Sequence, residues 1–328
     1  MNTREVPVAA TVRLDHRVHC VRPCAGGFAA VSADGEVTVL DKGLRVVRRL
    51  GLGGRVGDVA IARDGTAWAW AATGRLWLGE PGGLAKDVPL PDEVACRWLP
   101  SGQAVWVAIG TGDEVCVELR DPDHRVRATV TVPDPFGGSM VMLCDHPHDD
   151  AVVLWIAAGR DGQESWLLTD GATGPRAERL PAGGSRPALF LPDGRSLLTA
   201  DDHRIAHVSW PDGAELGALG WADVDREAVE DGGDAPGELV LLPGGHVAWT
   251  TRSGRIRTVD LAAMSVVDEI TLTGHPLRPA AALHPALAGA ENLCTDFDHA
   301  VPGADGSVLT VHRADTLVLS ALRDWSPA

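Results

Sequence analysis

One tight turn recurs seven times along this chain and limits what it can fold into. It is written Gly26-Gly27, Asp64-Gly65, Ser101-Gly102, Asp149-Asp150, Asp193-Gly194, Gly244-Gly245 and Asp305-Gly306. Gly and Asp tolerate the backbone angles that a tight hairpin demands. Each turn is followed by a short apolar run: 28–32, 66–71, 103–109, 151–157, 195–200, 246–251 and 307–312. Most are continuously apolar, as expected of strands buried on both faces. Segments 44–50, 125–132 and 265–272 instead alternate apolar and polar residues, as half-exposed strands do. Composition agrees with a chain made of short strands and many turns: of 328 residues, 38 are Gly and 22 are Pro.

The mean interval between turns, about 46 residues, is close to that of a four-stranded propeller blade. Seven turns predict an all-β, single-domain, seven-bladed β-propeller over residues 1–328. Six or eight blades and a pair of β-sandwiches are the alternatives. The last blade runs out of chain after its third strand. Segment 8–14, within the stretch 5–14, supplies the missing outer strand and closes the ring, which removes the open edges. A ring closed in this way needs no second subunit, so a monomer is expected.

The pattern of turns and strands over residues 6–323 resembles the WD-repeat type of propeller and its looser bacterial relatives. Leu40-Asp41 and Trp77-Leu78 stand where that family carries Trp-Asp, and the family's Gly-His is missing at the expected places. The resemblance implies a binding scaffold or sensor without chemistry of its own. It would recognise a protein or peptide at one rim of the ring.

Charge narrows the partner. The formal net charge is −16, from 45 acidic and 29 basic residues, and a surface like that repels phosphate backbones. A neutral or basic partner is expected, and nucleic acid is not. No apolar run approaches the roughly 20 residues of a membrane helix, so no membrane partner is expected. The first residues lack a signal-type apolar core. The six cysteines are scattered, and Cys20 and Cys24, about 13 Å apart on one strand, are too distant to bond. The chain therefore reads as cytoplasmic, with reduced thiols.

Walker-A, G-x-S-x-G, H-E-x-x-H, C-x-x-C and dinucleotide-binding patterns are all absent. Candidate sites come from clusters instead. Starts of predicted inner strands carry His19, Asp58, Glu93, Arg186, Glu238 and Asp296, a mostly acidic ring around the channel mouth. An acidic insertion at 221–237, with Trp221, Asp223 and Asp225, borders the rim expected to bind a partner, and 276–292 is a second, Ala/Pro-rich insertion there. The enzyme alternative is a small-molecule lyase or hydrolase in the central funnel. It would use Asp296 or Asp298 with His19, Glu238 and Arg186 as acid, base and orienting groups. No cofactor is predicted, although His146, His148 and Asp149 have the ligand chemistry for Zn²⁺, and Ca²⁺ is a further option for the carboxylates. The tryptophans inside strands, Trp68, Trp106, Trp155 and Trp249 among them, are expected to pack between blades.

Overall fold

The computed structural model describes residues 2–62, 64–65, 67–72, 74–79, 86–90, 94–137, 140–157, 162–171, 174–180, 186–201, 204–220, 223, 236–242, 245–251, 256–274, 300–302, 307–312, 315–320 and 322. Seven small sheets form a seven-bladed β-propeller. The innermost strands of blades 1 to 7 are Cys20–Cys24, Val56–Ile61, Val94–Trp98, Met140–Asp145, Arg186–Phe190, Pro236–Leu242 and Ala300–Pro302. Each inner strand touches the next, and the seventh touches the first, so the ring is closed.

Local chemistry explains the blades. Gly26, Gly65, Gly102, Gly194 and Gly245 turn the first hairpins of five blades with φ between 67° and 79°, where a side chain would be strained. The second strands that follow are buried on both faces, as in Ala151–Ala157, where every residue is inaccessible. Each gap between neighbouring blades holds its own apolar cluster, seven in all among the described residues. Trp68, Trp106, Trp155 and Trp249 lie in these gaps or beside them and are at most 6% exposed.

Closure follows the expected route and adds a second strap. Val8–Arg13 pairs antiparallel with Thr316–Ser320 and completes blade 7. Its alternate residues Val8, Ala10 and Val12 face inward, the first toward blade 6 and the others toward blade 1. One residue earlier, Asn2–Val6 joins blade 6 as a fifth strand, parallel to Ser265–Leu272. This strand was not legible in the sequence. It covers Asp268, which is wholly buried with neither carboxylate oxygen hydrogen-bonded, and which Arg4 approaches at 3.5 Å.

Candidate functional site: a charge ladder on the inner strands

Four consecutive inner strands each contribute one charged side chain, and the signs alternate: Arg22, Asp58, Arg97 and Asp145. Adjacency of the strands brings together residues that lie 36 to 48 positions apart in the chain. Asp58 is the hub. One of its oxygens accepts from the Val59 N–H at 2.8 Å and meets Arg22 Nη2 at 3.4 Å. The other accepts from the Cys96 N–H at 2.9 Å and from Arg97 Nη1 at 2.8 Å. Arg22 Nε donates across the same gap to the Val59 carbonyl at 2.8 Å. Arg97 Nη1 also donates to the Cys96 carbonyl at 2.6 Å. Arg97 Nε stands 3.9 Å from Asp145, outside hydrogen-bond reach.

The two carboxylates sit in different electrostatic surroundings. Burial alone would raise the Asp58 pKa, but Arg97, Arg22 and the two N–H donors outweigh it and hold the carboxyl below its usual range. Asp58 is thus an anion at neutral pH. Desolvation works against the Arg97 cation, and Asp58 and Asp145 more than restore it. At Asp145 desolvation by the strands packed around it outweighs Arg97 and Arg22, so its pKa is raised to about 6, a shift that the side chain's partial contact with water works against. Water still reaches this side chain, which is 49% exposed, whereas Asp58 is 14% exposed. Among the described side chains, Asp145 is the last member of the ladder.

Nearby thiols offer no nucleophile. Burial raises Cys20, Cys96 and Cys144, the last to about 12, so at neutral pH they stay protonated. The five described cysteines are free.

The sequence-predicted residues fall as follows. Of the expected ring, only His19 and Asp58 have described side chains, and of these two the structure joins Asp58 to other charged groups. His19 is exposed, one residue ahead of the blade 1 inner strand. Arg186 and Glu238 lie on the inner strands of blades 5 and 6, where the backbone alone is described. Glu93, Trp221, Asp225, Asp296, Asp298 and insertion 276–292 lie outside the described residues. Asp223 is exposed. Arg22, Arg97 and Asp145 were not foreseen. Asp145 is the last residue of the blade 4 inner strand, directly before the histidine turn.

That turn has an architectural role. His146 is 3% exposed. Its Nε2 donates to the Gly194 carbonyl at 2.9 Å, and its Nδ1 accepts from the Asp149 N–H at 2.9 Å and the His148 N–H at 3.3 Å. His148 Nε2 donates to the Pro192 carbonyl at 2.5 Å. The His146 ring also packs edge-on against Phe190 at 5.0 Å and near Trp210 at 6.0 Å. These bonds tie the first hairpin of blade 4 to that of blade 5 and occupy both His146 nitrogens. Among the described residues, no three His, Cys, Asp or Glu side chains are grouped to hold a metal.

The same contact explains Gly194. A Cβ there would lie 2.6 Å from His146 Cε1, at a φ of 67°. Gly194→Ala is therefore expected to cost about 2 kcal/mol, and His146→Ala a similar amount through three lost hydrogen bonds and the ring's packing. Urea unfolding curves of the two variants check this. A shift below 0.5 kcal/mol for His146→Ala would remove the architectural role.

Among the described residues no helix is long and apolar enough to cross a membrane. Comparison with protein-family models and with curated proteins finds no match.

Proposed function

We propose that the chain is a cytoplasmic, monomeric, non-catalytic binding protein that recognises a protein or peptide segment at one face of the ring and anchors a cationic side chain of that segment on Asp145. One observation carries the reading. Asp145 is a half-exposed carboxylate at the end of a ladder whose other members are already paired, and among the described residues the one charged group within 4 Å of it is Arg97 at 3.9 Å. An ammonium or guanidinium group brought to it would form a charge-assisted hydrogen bond. The net charge of −16 supports a neutral or basic partner. Propellers commonly serve as interaction scaffolds, which is fold-level analogy and supports the class of function only.

Asp145 ends its strand on the side of the first hairpins. Exposed Asp149, Asp150, Asp170 and Asp193 lie at the hairpins of blades 4 and 5 on that same side. The proposed anchor is therefore at the hairpin rim, opposite the loop rim with residues 221–237 that the sequence had favoured.

The test is a peptide array in which Lys or Arg is varied against norleucine and citrulline, followed by anisotropy titration of the selected peptides. Asp145→Asn is expected to weaken the selected peptides about tenfold or more. Affinity should be constant above pH 7 and fall about tenfold per pH unit below pH 6, as Asp145 takes up its proton. Selection that ignores the cationic residue, or peptides that bind Asp145→Asn equally well, would overturn the proposal.

A further inference from the structure

We propose a second interaction surface, independent of the ladder. The outer strand of blade 1, Val46–Gly51, is an edge that accepts an acidic extended segment of a partner protein as a fifth strand. Residues 45–49, Arg-Val-Val-Arg-Arg, are exposed without interruption, and Val47 is 66% exposed, the highest among large apolar side chains of the described residues. Two other outer strands hide alternate residues. Val8–Arg13 does so along its whole length, and Val126–Pro133 along its second half. In blade 1 only Leu50 turns inward, to the core shared with blade 2.

The edge is also held ready. Asp41 Oδ1 accepts from the N–H groups of Gly43 and Arg45, both at 2.9 Å, and fixes the turn that leads into the strand. Leu44, at φ 61° and 3% exposed, is locked into the core between blades 7 and 1. The strand pairs on one side with Glu36–Leu40, and among the described residues no strand covers its other side. An edge already fixed in extended form loses little entropy when a partner strand adds to it.

The molecule supplies its own precedent at blade 6. There Asn2–Val6 adds as a fifth strand and brings Arg4 within 3.5 Å of Asp268. At blade 1 the signs are reversed. Lys42, Arg45, Arg48 and Arg49 form a basic strip on a protein of charge −16, with Asp41 pairing Arg45 and Asp15 pairing Arg49. Arginines at an edge discourage edge-to-edge pairing of like copies. A second copy added antiparallel would set Arg48 and Arg49 of one chain against those of the other. The complement that fits is a strand alternating carboxylates with β-branched residues, its acidic side chains on one face reaching Arg48 and its apolar ones on the other covering Val47.

The probe is a fluorescein-labelled peptide, Thr-Glu-Val-Glu-Val-Glu-Val-Thr, with a Lys-for-Glu counterpart as control. Binding is followed by anisotropy, and edge pairing by hydrogen exchange across residues 46–51. The Glu peptide is expected to bind, slow exchange in that segment and outcompete the Lys peptide at least tenfold. Arg48→Glu with Arg49→Glu should invert the preference. Arg48→Ala with Arg49→Ala should weaken the Glu peptide without a gain for the Lys peptide, and thermal melts of both variants should match the parent. Three results would overturn the proposal. They are equal binding of the two peptides, slowed exchange at 46–51 that depends on protein concentration instead of peptide, and displacement of the Glu peptide by an oligonucleotide of equal charge.

Discussion

Deleting residues 2–13 is expected to abolish the folded ring. Val8–Arg13 is the outer strand of blade 7, so its loss exposes the edge of Thr316–Ser320 and uncovers Leu317 and Leu319. Val6 and Val8 leave the core between blades 6 and 7, and Ala10 and Val12 leave the one between blades 7 and 1. At about 1.5–3 kcal/mol for a fully buried valine, and less for these half-buried ones, the apolar loss is on the order of 5 kcal/mol. Asn2–Val6 also takes away its backbone pairing with residues 268–272 and the Arg4–Asp268 ion pair, a loss that hydration of the uncovered Asp268 partly offsets. Together these losses approach the ~5–15 kcal/mol that stabilises a whole domain.

The measurement is solubility and cooperative urea unfolding of the deleted chain, with and without a synthetic peptide of residues 2–14 supplied in trans. Recovery of a sharp transition with the peptide is the expected result. An unchanged transition without it would show that closure contributes little. Arg4→Ala separates the two straps, because it spares blade 7 and removes only the ion pair at blade 6. It should destabilise by up to about 3 kcal/mol, and adding Asp268→Val should recover most of that, since an apolar residue needs no counter-charge.

The fold was legible because its physics is local. A hairpin needs a residue that tolerates positive φ, and Gly65, Gly102 and Gly194 announce it. A strand between two blades must be apolar on both faces, which Ala151–Ala157 displays in sequence as it does in space. The Asn2–Val6 strap has no such signature. It pairs in parallel with residues 268–272, and Asn-Thr-Arg-Glu-Val does not alternate in hydropathy. The ladder was hidden for a related reason. Arg22 and Arg97 are single charges in otherwise apolar or mixed strands, and only the juxtaposition of inner strands makes them partners of Asp58. Asp145 was masked by its neighbours, because His146, His148 and Asp149 have metal-like spacing while their bonds serve the hairpin turns of blades 4 and 5.

Asp58→Ala is expected to be the most damaging single substitution in the bore, at about 3–5 kcal/mol. It leaves Arg22 and Arg97 facing each other across the vacated site, 29% and 20% exposed, with the Cys96 and Val59 N–H groups deprived of their acceptor. Asp58→Asn keeps one oxygen for those N–H donors but not the charge, and should fall between the variant and the parent. Arg22→Met and Arg97→Met added to Asp58→Leu should restore much of the loss, because the three together remove the paired charges and leave only the half-exposed Asp145, which water can reach.

pH distinguishes the two ends of the ladder. The Asp58 pKa is depressed in the folded protein, so its stabilisation is complete above the ordinary carboxyl value of about 4 and is lost as pH falls through the lower folded value. The Asp145 pKa is raised to about 6, so the folded state holds that proton more tightly than the unfolded chain does. Its contribution therefore declines as pH rises from about 4 to 6. Urea midpoints should fall across that interval in the parent and not in Asp145→Asn, while Asp58→Asn should flatten only the acid limb below pH 4. If Asp145→Asn leaves the 4–6 interval unchanged, Asp145 does not titrate there, and the pH dependence expected for its peptide anchor is lost with it.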